Sequence, residues 1–365
     1  MYNFERFGKI RMKNALKIIG LMSGTSLDGL DVAACEFDFS QGKWNYQIHA
    51  AETFSYSDFW KQRLQTLDKQ DAQTFVQTDT EYGRLLGETV KDFLKKYNFS
   101  ADYIASHGHT IFHQPHAGFT SQIGNGAVLA AVSGVNVVCD FRSTDVALSG
   151  QGAPLVPVGD ALLFYDYDYC LNIGGFSNIS FAKNGVRKAF DISPANIALN
   201  YFANKENCLF DKNGQLARQG KLQNDLFNAL NTIDFYQNHH AKSLGKEWFE
   251  TLFLPIIFSF DCTNKDILAT LTEHIAFQVS RSIKETENKK MLMTGGGVKN
   301  TFLIEKIIHY LPDLECVIPD ELLIDYKEAL IFAFLGCLRI DNKMNCLQTV
   351  TGGTRDHIAG AIYLA

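Results

Sequence analysis

No apolar run in this chain comes close to the ~20 residues a bilayer-spanning helix needs, so a helical membrane protein is excluded. The eight cysteines are scattered singly, with no Cys-x-x-Cys pair, which argues against a zinc cage or a thioredoxin-like motif. Isolated cysteines of this kind fit a reducing cytoplasm, where a thiol serves as a small buried apolar group. There is no block of basic residues, and 34 Lys plus Arg against 40 Asp plus Glu leaves a net charge of −6. Nucleic acid held by phosphate neutralisation is therefore not an expected partner. Low-complexity tracts and Pro/Ser linkers are missing too. Neither the Walker A pattern nor the Gly-x-Gly-x-x-Gly dinucleotide pattern occurs. The opening 13 residues mix charges and lack a signal-peptide core, and Met12 is an alternative start. With 46% hydrophobic and 20% charged residues, the 365-residue chain is too apolar for disorder and long enough for two domains.

One pattern is present twice. Lys17 to Met22 reads as a buried strand, followed by Ser23-Gly24-Thr25-Ser26, a strand from Leu30 to Phe39, a Gln41-Gly42 turn and a strand from Trp44 to Phe54. The later copy runs from Cys170 to Ile173, through Gly174-Gly175-Phe176-Ser177, to strands Asn178–Ala182 and Val186–Ile192 around an Asn184-Gly185 turn. Asn-Gly between apolar runs is a strong hairpin signal. Between and after the copies lie helical patterns. Ile267, Leu271, Ile275, Val279 and Ile283 form one stripe, and Ala329 to Leu338 is apolar all round. Met291 to Met293 is a short strand entering Thr294-Gly295-Gly296-Gly297, with a helix beginning near Lys299 or Asn300. Strands interleaved with helices in two similar halves predict an α/β protein of two lobes divided near Asp160. Turns bearing Gly and hydroxyl residues expose successive backbone N–H groups, which suit a polyanion. Three of them, near Gly24, Gly174 and Gly295, at matching places in a duplicated frame, point to one nucleotide rather than to three unrelated turns. Asp28 adds a carboxylate suited to Mg²⁺.

The stretch Gly20-Leu21-Met22-Ser23-Gly24-Thr25-Ser26-Leu27-Asp28-Gly29 resembles the opening motif of the anhydro-N-acetylmuramic acid kinases. Ser106-His107-Gly108-His109-Thr110 with His113 and Pro115, Asp140-Phe141-Arg142 with Asp145, and Gln151 through Pro157 are similar to that family as well. So are Asn172-Ile173-Gly174-Gly175, Thr294 through Gly297, Lys327-Glu328-Ala329 and Val350-Thr351-Gly352-Gly353. The resemblance spans Gly20 to Tyr363. It implies a two-lobed sugar-kinase/actin-like ATPase fold with a duplicated mixed-sheet core and an interlobe cleft. Residues 1–160 would form the N-terminal lobe and 161–365 the C-terminal lobe. It implies a cytoplasmic enzyme of peptidoglycan recycling that uses ATP and Mg²⁺. Such an enzyme opens the 1,6-anhydro ring of anhydro-N-acetylmuramic acid and phosphorylates the 6-hydroxyl. The partner is then a small amino sugar, with no nucleic acid and no membrane, and a homodimer is an admissible assembly.

Carried over residue by residue, the resemblance assigns the nucleotide to Gly24, Thr25, Ser26, Leu27, Asp28, Gly29, Leu30, Asp31, Gly174, Gly175, Asn178, Gly295, Gly296 and Gly297. His107, Arg142, Asp145 and Gln151 would meet the sugar, Arg142 and Asp145 gripping it or its lactyl carboxylate. A salt bridge within their own loop is the competing reading for those two. The family's base lies in an Asp-Thr-Gly-Pro-Gly-Asn stretch, represented here by Asp191-Ile192-Ser193-Pro194-Ala195-Asn196. Asp191 is thus the candidate catalytic base, and Ser193 and Ala195 stand where the family has glycine. A positive φ at either position would cost about 1–2 kcal/mol. The alternative for Asp191 is a cap on a helix begun by Ser193 and Pro194. His107, His109, His113 and His116 superficially suggest a transition-metal cluster, but no acidic or cysteine partner lies among them. The rival functions are phosphorylation of another sugar on the same fold and a catalytically impaired nucleotide-binding sensor. A dehydrogenase ranks below both, for want of the dinucleotide fingerprint.

Overall fold

A computed structural model describes residues 15–24, 27–237 and 244–365. The alternative start at Met12 and the nucleotide assignments of Thr25 and Ser26 lie outside the described residues. The strands are β1 (Leu16–Ser23), β2 (Gly29–Ser40), β3 (Lys43–Ser55), β4 (Tyr103–Gln114), β5 (Phe119–Ile123), β6 (Asn136–Cys139), β7 (Tyr169–Ile173), β8 (Phe176–Lys183), β9 (Val186–Pro194), β10 (Lys289–Thr294), β11 (Leu314–Val317) and β12 (Ala361–Tyr363).

The chain divides into two compact units. The first runs to Leu163 and resumes from Tyr326 to Ala365; the second is Phe164–Asp325. This differs from two contiguous segments, 1–160 and 161–365, because the last 40 residues pack in the first unit. The cause is local and visible. The helix Glu321–Ile340 leaves helical geometry at Tyr326 (φ −116°, ψ 15°). Its later turns then lie so close to β1 that a Cβ on Gly20 would sit 1.9 Å from the Ala329 carbonyl oxygen. Only glycine fits there, so the apolar run Ala329–Leu338 is buried against the first sheet. β12 completes the return by pairing antiparallel with β6, Ala361 opposite Cys139.

The two sheets share one plan. In the first, the strand order is β12-β6-β4-β1-β2-β3, with β5 paired to β4. In the second it is β11-β10-β7-β8-β9. Each opens with an antiparallel meander, β1–β2–β3 or β7–β8–β9. Each then adds parallel strands beside the first strand of that meander, β4 and β6 or β10 and β11. Parallel pairing requires a crossover, and helices supply it. Ala72–Tyr97 connects β3 to β4, and its Tyr82, Leu86, Val90 and Phe93 enter the core of the first unit. Asn264–Ser282 precedes β10 and buries Ile267, Leu271, Ile275 and Val279 in the second core, the stripe expected from their four-residue spacing. An α/β fold with a duplicated mixed sheet is therefore present. No helix among the described residues is long and apolar enough to cross a membrane.

Candidate active site

The first glycine turn joins β1 to β2, which lie in register with Ser23 opposite Leu30. Leu27 takes a positive φ of 58°, and its N–H reaches the Gly24 carbonyl at 3.4 Å. Asp28 is exposed beside this turn, one carboxylate oxygen accepting from Gly29 N–H at 3.1 Å. Asp31, three residues further on in β2, accepts from Thr53 Oγ1 at 2.6 Å. Behind the turn lies a buried polar chain. Ser23 Oγ is 2.8 Å from His109 Nδ1 and 2.7 Å from Tyr56 Oη, and Tyr56 Oη is 2.5 Å from Tyr82 Oη. Burial lowers the His109 pKa to about 4, so its ring is neutral and can serve this chain. Tyr56 and Tyr82 were not foreseen as site residues. Nothing in their sequence context separates them from ordinary core aromatics.

A second cluster of the first unit brings together two sugar-side candidates, His107 and Arg142. His107 is buried on β4, its Nδ1–H donating to Gly108 O at 2.9 Å. Its Nε2 accepts from Arg142 Nε at 3.0 Å and Nη2 at 2.8 Å, which fixes a neutral tautomer. Burial first, then the Arg142 charge, hold its pKa well below the ordinary histidine value. Arg142 also donates from Nη1 to Gly152 O at 2.6 Å. Burial lowers the guanidinium to about 10 while the Glu328 carboxylate opposes that shift, so Arg142 remains a cation. Three of its five N–H groups are thus used within the protein, leaving one on each terminal nitrogen. Glu328 is accessible to solvent, yet the protein packed around it removes enough water to raise its pKa.

Asp145 occupies a different position from the one expected. It is fully buried and makes no ion pair with Arg142 among the described residues. One oxygen accepts from Gly152 N–H at 2.7 Å; the other accepts from Thr351 Oγ1 at 2.7 Å and lies 3.2 Å from Cys346 Sγ. A carboxylate so enclosed cannot grip a sugar directly, and it anchors the turn that carries Gln151. Gln151 itself is exposed, its N–H bound to Thr351 O at 2.8 Å. Thr351 and Cys346 were not singled out beforehand, although Thr351 falls within a motif that carries the family resemblance.

In the second unit, Asp191 sits near the end of β9, opposite Asn178 of β8 and beside a register shift between Ser177 and Asn178. It is half-buried, and its Oδ2 accepts from Leu244 N–H at 2.8 Å. It does not cap the next helix: Asn196–Lys205 starts from Ala195, which makes no side-chain capping bond. Instead the Gly174 and Gly175 carbonyls receive the first N–H groups of that helix. Asn196 N–H meets Gly174 O at 3.0 Å, while Ala195 and Ile197 N–H meet Gly175 O at 2.8 and 3.1 Å. Hence the second turn fixes the helix through its carbonyls. Ala195 has φ −125°, and Ser193 is not among the residues with positive φ. Neither substitution strains the chain in the left-handed region.

The third glycine turn borders a cavity of about 500 Å³ in the second unit, within the range of small-molecule sites. Its lining includes Asn196, Asn200, Phe210, Lys212, Gly296 and Asn300. Gly295 has φ 84°, and a Cβ there would lie 2.6 Å from Asn172 Oδ1, so the turn requires glycine on both counts. The helix Thr301–Tyr310 starts at this cavity with Asn300 Oδ1 accepting from Leu303 N–H at 3.2 Å. Phe210 and Lys212 carry no recognisable motif and were not anticipated. The four β4-region histidines do not form a metal-capable group among the described residues. His107 and His109 are committed to Arg142 and Ser23 instead.

Comparison with known proteins gives a consistent result. The family profile of anhydro-N-acetylmuramic acid kinase matches residues 16–365. The chain is 32% identical to the anhydro-N-acetylmuramic acid kinase of Sulfurovum sp. (strain NBC37-1), covering 96% of this chain and 100% of that one. It is 34% identical to the enzyme of the same name from Pasteurella multocida (strain Pm70), covering 96% and 98%. Among solved structures, component A of the Acidaminococcus fermentans (R)-2-hydroxyglutaryl-CoA dehydratase is similar at TM-score 0.47 and 13% identity, over 89% of this chain and 99% of that one. That last likeness is too slight to argue from. The match along nearly the whole length places this chain in the anhydro-N-acetylmuramic acid kinase family.

Proposed function

We propose that the protein uses ATP to convert anhydro-N-acetylmuramic acid into N-acetylmuramic acid 6-phosphate. The family match over residues 16–365 is the observation that carries this reading. In the reaction, water adds to the anomeric carbon as its proton passes to the Asp191 carboxylate. The bond between that carbon and the bridging oxygen breaks. The released 6-oxygen then forms a bond to the γ-phosphorus, and ADP leaves. A base for this work must be ionised at neutral pH and reach water. Asp191 is half-buried, and the Leu244 N–H bond to Oδ2 helps to hold its carboxylate in place.

Arg142 supports recognition of the lactyl carboxylate. Its cation is fixed by His107 and Gly152, and its two remaining N–H groups match a carboxylate's two oxygens. Asp145 acts as a positioning residue, holding the turn that presents Gln151. The nucleotide reading rests on the glycine turn after β1 and on the cavity lined by Gly296, Asn196 and Phe210. The exposed Asp28 and the neighbouring Asp31 offer hard oxygen donors of the type Mg²⁺ takes. When bound, the ion would neutralise phosphate charge.

The test is a mass spectrum of the products from anhydro-N-acetylmuramic acid and Mg·ATP, together with ADP measured with and without sugar. Sugar-dependent ADP and one equivalent of hydrolysed, phosphorylated sugar are expected. ADP release indifferent to the sugar would contradict the proposal, as would nucleotide binding without turnover.

A further inference from the structure

We infer that the first unit holds a divalent metal site, suited to zinc, formed by Asp145, Cys346 and His357. These three form the one group among the described residues whose His, Cys, Asp or Glu donor atoms all lie within 4.8 Å of one another. Backbone pairing explains the convergence. Cys346 and His357 form an isolated antiparallel bridge, each N–H reaching the other's carbonyl at 3.2 Å. Side chains opposite one another in such a bridge project to the same face. Asp145 approaches that face from the short helix Ser143–Ala147. Its Oδ1 lies 3.2 Å from Cys346 Sγ and 3.9 Å from His357 Nδ1. Tetrahedral zinc with ordinary Zn–S, Zn–N and Zn–O lengths separates its ligand atoms by roughly 3.5 Å, between those two distances.

Two further observations favour a metal over a plain hydrogen-bonded cluster. Asp145 and Cys346 have no solvent exposure and His357 only 7%. The Asp145 carboxylate is also oriented from outside the cluster by Thr351 Oγ1 and Gly152 N–H, as ligating carboxylates usually are. One thiolate, one imidazole and one carboxylate form a mixed donor set that suits zinc better than magnesium or calcium. His357 also borders an open cavity of about 540 Å³ with Thr144, Met344 and Asp356, from which water can supply a fourth ligand. The ion would clip the loop from Asp145 to Gly152 onto the C-terminal segment. This structural role is separate from phosphoryl transfer.

The full-length protein, stripped with a chelator, is titrated with Co²⁺ as a spectroscopic probe and then with Zn²⁺. The expected result is one equivalent of Co²⁺ with a thiolate-to-cobalt charge-transfer band, displaced by Zn²⁺, and a higher melting temperature in zinc. Cys346→Ser should abolish the band, and His357→Ala should weaken binding by more than roughly 100-fold, beyond the usual effect of losing an outer-sphere partner. His357→Ala is the variant that decides should Cys346→Ser fail to fold. Absence of saturable binding overturns the site. So does a charge-transfer band that persists in Cys346→Ser, or affinity unchanged in His357→Ala.

Discussion

The ends of β3 and β9 close the third strand of the same meander, yet the two units put different chemistry there. Just beyond β3, Tyr56 is buried and its hydroxyl joins Ser23 and Tyr82, stiffening the first glycine turn from behind. Near the end of β9, Asp191 keeps a half-exposed carboxylate with one oxygen held by Leu244 N–H. The glycine turns differ in the same way. After β1 the turn has a buried polar chain behind it and carboxylates at its side. After β7 the turn spends its carbonyls on the N-terminus of a helix. The shared frame thus carries different fittings: a buried hydroxyl network behind the turn in the first unit, and a half-buried carboxylate near the strand end in the second.

Paired substitutions should break this comparison most sharply. Asp191→Asn is expected to lower kcat by roughly 10²–10⁴-fold, the usual contribution of a general base, while ATP binding by calorimetry persists. Tyr56→Phe, at the end of the other meander, should instead cost about 1–3 kcal/mol of stability, because buried partners lose a hydrogen bond. Denaturant unfolding measures the second effect and steady-state kinetics the first. An Asp191→Asn enzyme with normal turnover would remove that carboxylate from the chemistry.

A smaller effect is expected at Arg142. Lysine keeps the charge but cannot hold His107 and Gly152 while also offering a two-pronged face. Arg142→Lys should raise KM for the anhydro-sugar by roughly 10–100-fold, in keeping with a charged hydrogen bond, with KM for ATP unchanged. Equal losses for both substrates would mean that Arg142 shapes the unit rather than the sugar.

Each unit also carries a histidine that burial keeps neutral. His109 in the first has its pKa lowered to about 4, and His274 in the second to about 3, against an ordinary 6.5. His274 binds Asn231 Oδ1 at 2.8 Å and Tyr236 Oη at 3.0 Å. Between the lowered values and 6.5, the unfolded chain takes up protons that the folded chain does not. The contribution of each ring is therefore complete above about pH 6.5 and is lost as pH falls towards about 4 or 3. Melting curves from about pH 7 to about pH 4 should show a shallower acid limb for His109→Gln and for His274→Gln than for the parent. Parallel limbs in all three proteins would contradict the assignment.

The smallest expected effect concerns the altered base motif. Because Ala195 has a negative φ, it lies outside the left-handed region that favours glycine, and glycine there chiefly enlarges the unfolded ensemble. Ala195→Gly should destabilise the chain by about 0.4–1 kcal/mol and leave kcat unchanged. A large gain in activity would show that the alanine had displaced Asp191.

Both meanders, the stripe from Ile267 to Val279 and the strand before Gly295 were legible in the sequence, since each rests on local periodicity and turn chemistry. The return of residues 326–365 to the first unit was not. It depends on the missing side chain at Gly20, which matters only once Ala329 lies against it. The candidate site divided along the same line. Asp191 and Arg142 stood out through their motifs, and the structure places both with water-accessible surface. Asp145 looked the same in the sequence, yet it is buried beneath Thr351 and Cys346, contacts made across more than 200 positions. Phe210 and Lys212 reach the glycine cavity by tertiary packing alone, and no spacing rule could have marked them.

The most direct test of Asp191 as the base that readies water is turnover in oxygen-18 water. With anhydro-N-acetylmuramic acid and Mg·ATP, the label should appear on the anomeric carbon of the product. The 6-phosphate ester oxygen should stay unlabelled, and Asp191→Asn should form almost no product. A phosphorylated sugar without anomeric label, or equal labelling by the Asp191→Asn enzyme, would contradict the account.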